Sequence, residues 1–356
     1  MVLEGHGGFE KLVFHQDWPV PQIGQNDVLI KVGACGLNNT DVNTRSGWYS
    51  KAVREATTGA AYESVSDNDP TWGGTPITFP RIQGVDAVGE VIALGANVPK
   101  HFYGKRVMVD GWMRNWDTNG QGYGVLGYFG SECDGGFAQF TKSDYRNVGI
   151  INSNLTDAEL ATFSCSYTTA EGLLTKAKVT ENDSILITGA SGGVGSALVQ
   201  LAKRRKATVI ALASTAKHAQ IKNLGADIIL ERNPDDIKTC LKQTLGKDSV
   251  SVVADIVAGD QFGNMLDILE RGGRYCSSGA IAGPIVELDM RLFYLKDLSL
   301  LGSTVTPLNI FPNLIRYIEK EEIKPILAAE YKLKDLHSAQ REFIKKQHVG
   351  NIVVKP

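Results

Sequence analysis

The segment Thr188-Gly189-Ala190-Ser191-Gly192-Gly193-Val194-Gly195-Ser196 stands where an apolar run, SILIT (184–188), gives way to a helix-like stretch, ALVQLAKRR. A glycine turn between strand and helix lets a pyrophosphate approach the backbone, and the first N–H groups of the helix point at the anion from the positive end of its dipole. At the head of an alternating α/β block this pattern predicts a dinucleotide site, with Ser191, Gly192, Gly193 and Val194 at the phosphates. About 20 residues further on, an acidic side chain would grip the ribose hydroxyls of NAD. Here the next run ends Ala213-Ser214-Thr215-Ala216-Lys217. That stretch carries no carboxylate, and Ser214, Thr215 and Lys217 can all donate to a 2′-phosphate, so NADP(H) is the expected cofactor. The following basic run, Lys203 to Lys206, reads as a helix C-terminus, with one of its charges able to reach the adenosine end.

The elements that must hold this turn are legible between residues 183 and 303. Six apolar runs, SILIT, TVIALA (208–213), ADIIL (226–230), VSVVADIV (250–257), GGRYCSSGA (272–280) and LSLLGST (298–304), alternate with helical segments. Continuous apolar strands joined by crossovers of a dozen or so residues predict a doubly wound parallel sheet covered on both faces. Residues 1–150 differ, with short alternating strands such as VLIKVGAC (28–35) and AVGEVIALG (87–95) that predict an antiparallel β domain. Two glycine-rich stretches, 50–79 and 111–136, read as long loops of the functional or disordered kind. All five tryptophans lie in this first part, either as packing groups or as walls of an aromatic pocket. The tail GNIVVKP reads as a strand that can rejoin the first domain.

The whole chain, 356 residues with 43% hydrophobic and 21% charged, has room for two domains with cores of their own. Its net charge of −2 leaves no electrostatic footprint for nucleic acid or an anionic membrane. The five cysteines are scattered, which argues against a disulfide framework or a zinc knuckle. The opening segment lacks the pattern of a signal peptide and no apolar run reaches 18 residues, so a cytoplasmic protein is expected. Glycine is enriched, at 38 residues.

With these residues in hand, the chain resembles the medium-chain dehydrogenase/reductase superfamily over essentially its whole length. GLNNTDVNTRSGWY (36–49), PRIQGVDAVGEVIALGANV (80–98), DGGFAQF (134–140), CSYTTAEGLL (165–174), the glycine turn and HVGNIVVKP (348–356) carry the likeness. It implies an α/β protein: a GroES-like β domain, 1–160 completed by 306–356, and a Rossmann domain with a six-stranded parallel sheet, 161–305, with a nicotinamide between them. Zinc-dependent members have a Cys in GxCxxD, the pair in GHE, and a later Cys. Here those places hold Asn38, Val85-Asp86 and Cys165, and the four-cysteine structural loop is missing, so no metal is expected and Cys165 reads as a small buried apolar group. None of the six histidines matches a ligand motif.

The likeness to the zinc-free quinone oxidoreductase and enoyl reductase branch then implies the reacting residues. Asn38 takes the lost ligand's place, Tyr49 is a proton donor or pocket wall, and Thr169 packs against the nicotinamide. Gly279 in GGRYCSSGA and Asn351 in the tail complete the expected cofactor contacts. Asp41 and Arg45, with Asp86 beside them, read as a structural charge group. Residues 50–79 look longer than in small relatives and are expected to act as a lid that shapes substrate choice.

The expected activity is zinc-independent, NADPH-dependent hydride transfer to a quinone or α,β-unsaturated carbonyl, a small-molecule substrate. The alternatives are an alcohol dehydrogenase-type carbonyl reductase and an NADPH-binding protein with no catalytic role. A homodimer pairing through the apolar edge run LSLLGST is also expected.

Overall fold

The computed structural model describes residues 1–71, 74–116 and 122–356, which fall into two compact units. Met1–Val53, Thr58–Cys165 and Leu308–Pro356 make the first; Arg54–Thr57 and Ser166–Pro307 make the second. Trp72 and residues 117–121 of the second glycine-rich stretch lie outside the described residues.

The second unit is built on six parallel strands: β1 (Ser184–Ile187), β2 (Thr208–Ala213), β3 (Ile228–Glu231), β4 (Val250–Asp255), β5 (Leu269–Ser277) and β6 (Ser299–Gly302). Their order is β3-β2-β1-β4-β5-β6. Every residue of β1 and β4 is buried, as the uninterrupted Ile, Leu and Val of those runs requires of central strands. Helix α1 (Gly193–Arg204) follows β1 and covers the sheet with Ala197, Leu198, Val199, Leu201 and Ala202. The strand order reverses between β2 and β4, on either side of β1. The glycine turn therefore leaves the carboxyl end of β1 at the switch point, where an open α/β sheet leaves a crevice for a ligand.

The first unit is a seven-stranded, mostly antiparallel sheet. Strand Asp27–Gly36 is its organiser, pairing along its length with Asp86–Leu94, at its start with Phe140–Asp144 and at its end with Asn351–Lys355. Along Asp27–Gly36 the residues Val28, Ile30, Val32 and Ala34 point into the core, the period-two pattern of a sheet with one buried face. The chain's last strand thus sits beside one of its first, with Leu327–Lys332 outside it.

The stretch 111–136 is not the open loop its glycines predict. Trp112–Trp116 and Gly122–Tyr128 pair as an antiparallel hairpin, and Trp112 stands opposite Tyr128 with the rings edge to face at 5.0 Å. Aromatic cross-strand pairs outweigh the strand-weakening glycines there. The described residues of 51–79 carry no helix or strand. Within the first unit this stretch is held by Arg45 on the Gly59 carbonyl (2.9 Å), His6 N–H on Asp67 (2.8 Å) and Ser50 on Asp69 (2.8 Å). No helix among the described residues is long and apolar enough to cross a membrane.

Candidate functional site

At the end of β1, Gly189 takes φ +55, a left-handed conformation that only glycine adopts freely. Gly192 forms the N-cap of α1, donating to the Gly189 carbonyl (3.0 Å) and accepting from Ser196 N–H (2.9 Å). A Cβ on Gly195 would lie 2.1 Å from the Gly189 carbonyl oxygen, so glycine alone lets helix and strand come this close. No side chain caps α1, so the N–H groups of its first turn are open to an anion.

Beneath the turn, Asp255 at the end of β4 is buried and gathers four donors. Thr188 O–H (2.5 Å), Val257 N–H (2.8 Å) and Ala258 N–H (3.1 Å) reach one oxygen, and Tyr275 O–H (2.7 Å) reaches the other. This network ties β1, β4 and β5 together at the point where the glycine turn departs. A satisfied buried carboxylate of this kind rigidifies its surroundings. The signal in the sequence was an Asp closing the apolar run VSVVAD.

From the end of β2, Lys217 Nζ donates to Ser191 Oγ (3.2 Å), so two of the expected cofactor residues meet directly. Burial and the neighbouring Arg232 guanidinium lower the pKa of Lys217. Ser214 opens the turn Thr215–Lys217, its carbonyl accepting from Lys217 N–H (2.9 Å).

Thr215 corrects the reading that no carboxylate lies here. Its hydroxyl donates to Glu231 Oε2 at 2.5 Å, and Glu231 also stands 4.0 Å from His218. Glu231 ends β3 and is in register with Ala213 at the end of β2, and this strand pairing brings it to Thr215, 16 residues away in sequence. The basic run is anchored elsewhere in this unit: Lys203 pairs with Asp227 (2.5 Å), and Arg205 grips Glu171 through two bonds of 3.0 Å. Thr169 is half-buried in helix Ser164–Lys176. Gly279, in the loop after β5, accepts from Ser277 O–H (3.0 Å).

In the first unit, Asn38 caps helix Asn39–Ser46, its N–H donating to Asp41 Oδ2 (2.8 Å). Its side-chain amide donates to Asp86 Oδ2 (2.9 Å), and the other Asp86 oxygen accepts the N–H of Cys165 (2.5 Å). The sulfur of Cys165 accepts from Tyr128 O–H (3.3 Å), so this cysteine is buried but not inert packing. Burial pushes both Asp86 and Asp41 up to about 7 against hydrogen bonds that hold them down, and the nearby Asp86 charge adds to the rise at Asp41.

Arg45 does not pair with either carboxylate, contrary to the charge group read from the sequence. Fully buried, it donates to Gln340 Oε1 (3.0 Å) and to the carbonyls of Gly7 (2.8 Å) and Gly59 (2.9 Å), with its guanidinium 4.3 Å over the Phe9 ring. Asp41 and Arg45 lie four residues apart on one helix, but the N-terminal turn carries Asp41 onto backbone N–H groups, and the other end carries Arg45 into a carbonyl-lined pocket.

Tyr49, just past this helix, lines a small cavity with His6, Asn43, Ser50, Asp69 and Thr71. Burial raises its pKa, and a hydrogen bond from Asn43 acts in the opposite direction. A hydroxyl that accepts from Asn43 keeps its own proton to give. Asn351 begins the last strand with its amide on the Thr162 carbonyl (2.5 Å). Trp116 donates to Asn147 (2.7 Å) and Trp48 lies against Tyr49 with ring centres 5.4 Å apart, so these two tryptophans make specific packing contacts. Tyr128 in the first unit and Glu231 and Arg232 in the second belong to no motif. Only folding places them.

Comparison with known proteins agrees with this architecture. Residues 24–152 match the family described as alcohol dehydrogenase GroES-like domain, and residues 193–320 match the one described as zinc-binding dehydrogenase. The chain is 27% identical over 355 residues to an NAD-dependent alcohol dehydrogenase of Sulfolobus acidocaldarius, covering 96% of this chain and 95% of the relative. It is 28% identical to a quinone oxidoreductase of Mus musculus, covering 95% and 91%. Among solved structures, a putative alcohol dehydrogenase from Sinorhizobium meliloti superposes with a TM-score of 0.87 at 40% identity, covering all of this chain and 95% of that one. The chain belongs to the medium-chain dehydrogenase/reductase superfamily.

Proposed function

We propose that the protein is a zinc-independent, NADPH-dependent reductase whose acceptor is a quinone or an α,β-unsaturated carbonyl. The observation that carries this reading is the Asn38–Asp86–Cys165 network. Catalytic zinc takes three protein ligands, usually His, Cys or carboxylate, around an open fourth position. Here an amide donates to the one carboxylate, that carboxylate also accepts a backbone N–H, and Val85 takes the remaining place. Such a donor set does not fit Zn²⁺, and no step is derived through a metal.

The second unit does fit a dinucleotide. The uncapped N-terminus of α1 and the close approach at Gly195 make the cradle for a pyrophosphate, with Ser191, Gly192, Gly193 and Val194 around it. Lys217, Ser214 and the adjacent Arg232 favour a further phosphate, which supports NADPH. When bound, the nicotinamide supplies the hydride. Thr169, Gly279 and Asn351 are the proposed contacts toward it. Asn38 has a second amide hydrogen beyond the one given to Asp86, and Tyr49 has its hydroxyl proton. Both are proposed to donate to the acceptor oxygen, or in the case of Tyr49 to return a proton, as charge develops there. Quinones and enones delocalise that charge and need only such modest donors, whereas a simple ketone asks for a stronger electrophile.

Five cysteines without disulfides support a reducing, cytoplasmic setting. The sheet edge at β6, with Ile285, Met290, Tyr294 and Leu295 exposed in the same unit, supports a homodimer. The alcohol dehydrogenases among the relatives favour a second reading, a carbonyl reductase acting on simple aldehydes and ketones. Initial rates with NADPH and NADH against a panel of quinones, enones and aldehydes test the proposal. It predicts turnover of the first two classes with NADPH. Turnover confined to simple aldehydes would establish the second reading, and cofactor binding without turnover of any class would leave a binding protein.

A further inference from the structure

Glu231 stands among groups otherwise suited to a phosphate. Around the end of β2 lie Lys217 and Arg232, two cations close enough that one lowers the other's pKa, together with the hydroxyls of Ser214, Thr215 and Ser191. Lys217 is already turned toward the glycine turn through Ser191 (3.2 Å). Thr215 is not available in the same way. A threonine hydroxyl has one proton to give, and in the free protein Glu231 Oε2 holds it at 2.5 Å. The Thr215 hydroxyl and the backbone N–H of Arg232 both favour the ionised carboxyl of Glu231, which therefore stays charged at neutral pH. An anion that takes the Thr215 hydroxyl must displace this carboxylate and then sit beside its charge.

We infer that Glu231 is a specificity-determining residue that weakens recognition of the 2′-phosphate and so narrows the preference for NADPH over NADH. The inference rests on the NADPH reading above. Lys217 and Arg232 attract the phosphate, and Glu231 competes for Thr215 and repels the dianion. At this solvent-exposed position the repulsion is screened, and removing the charge is expected to change binding of the dianion by about fivefold at low salt. Regaining the Thr215 proton for the phosphate brings the expected gain to roughly tenfold. The ribose hydroxyls of NADH carry no such charge and are insensitive to the carboxylate.

The test uses the full-length protein and its E231Q variant, which keeps the size of the half-exposed side chain, removes its charge, and leaves a neutral amide oxygen that holds the Thr215 hydroxyl more weakly than the carboxylate does. Dissociation constants for adenosine 2′,5′-bisphosphate and for 5′-AMP are measured by calorimetry, alongside kcat/KM for NADPH and NADH. The expected result is tighter binding of the bisphosphate by E231Q, five- to tenfold at low salt and less at 0.5 M salt, with 5′-AMP and NADH changed less than twofold. An unchanged bisphosphate constant in E231Q overturns the role of Glu231 while the NADPH reading stands. If the wild type binds 5′-AMP as well as the bisphosphate, and E231Q loses NADH, then the NADPH reading fails and Glu231 is a ribose ligand. If T215V lowers the E231Q gain from about tenfold to about fivefold, the shared hydroxyl carries that part of the effect. If it does not, competition for that proton is overturned and charge repulsion alone remains.

Discussion

Replacing Asp86 by asparagine tests whether the network around Asn38 holds a buried, easily protonated carboxyl. The pKa of Asp86 rises from 3.8 to about 7, chiefly through burial, with hydrogen bonds from Asn38 and Cys165 working against the rise. A carboxyl raised in this way stabilises the fold below its unfolded value, and that contribution is lost as pH climbs through the folded one. Between pH 5 and 7 the folded chain keeps a proton the unfolded chain has released. Stability should therefore fall by about 1.4 kcal/mol per pH unit while the folded group stays protonated, or roughly 2 kcal/mol over the interval, the slope flattening as the folded carboxyl ionises near pH 7. Asp41, also raised to about 7, and Asp110, raised to about 6, add slopes of the same sign, while the Met1 ammonium, lowered to about 6 by burial, opposes them above pH 6. D86N keeps the shape and an acceptor for Cys165 N–H but has no proton to lose. It should remove Asp86's own share of the slope and be the more stable protein at pH 8. Urea unfolding followed by tryptophan fluorescence at pH 5, 6, 7 and 8 is the assay. It reports on the first unit, since all five tryptophans belong to that part of the sequence. The acidic groups with lowered pKa values, such as Asp183 and Asp227, are ionised in both states over this range and leave the comparison undisturbed. A D86N slope within about 0.5 kcal/mol of the wild-type value over pH 5 to 7 would refute the reasoning.

Tyr49→Phe should lower kcat with an enone by about a hundredfold or more with little change in KM, the range of a lost proton donor. Because burial holds the hydroxyl protonated, wild-type activity should show no loss attributable to Tyr49 up to pH 9, and a drop there that vanishes in the Phe variant would contradict this. Gly195→Ala puts a Cβ 2.1 Å from the Gly189 carbonyl, so it should abolish dinucleotide binding, measured by calorimetry, or the folding of the second unit, measured by circular dichroism. Met290→Glu with Leu295→Glu, two exposed apolar positions, should turn a dimer into a monomer by sedimentation, and a wild-type monomer would contradict the proposed pairing.

The parallel sheet was readable because its strands are buried on both faces and each appears in the sequence as a continuous apolar run. The glycine turn was readable because its requirement is steric and local, as Gly189 and Gly195 show. The hairpin within 111–136 was not, since its stability comes from Trp112 and Tyr128 meeting across strands while its glycines read as loop. Glu231 escaped for a similar reason: it is 16 residues from Thr215 in sequence and adjacent only through the β2–β3 register. Arg45 and Asp41 misled because spacing on a helix shows which residues share a face but not which end finds carbonyls and which finds N–H groups.

The central claim, reduction without zinc, is tested most directly by measuring metal content and activity on the same preparation. Elemental analysis of the purified protein, paired with NADPH oxidation by an enone before and after chelator treatment, should give well below one zinc per chain and an undiminished rate. One zinc per chain, with activity lost to the chelator and restored by Zn²⁺, would contradict the account.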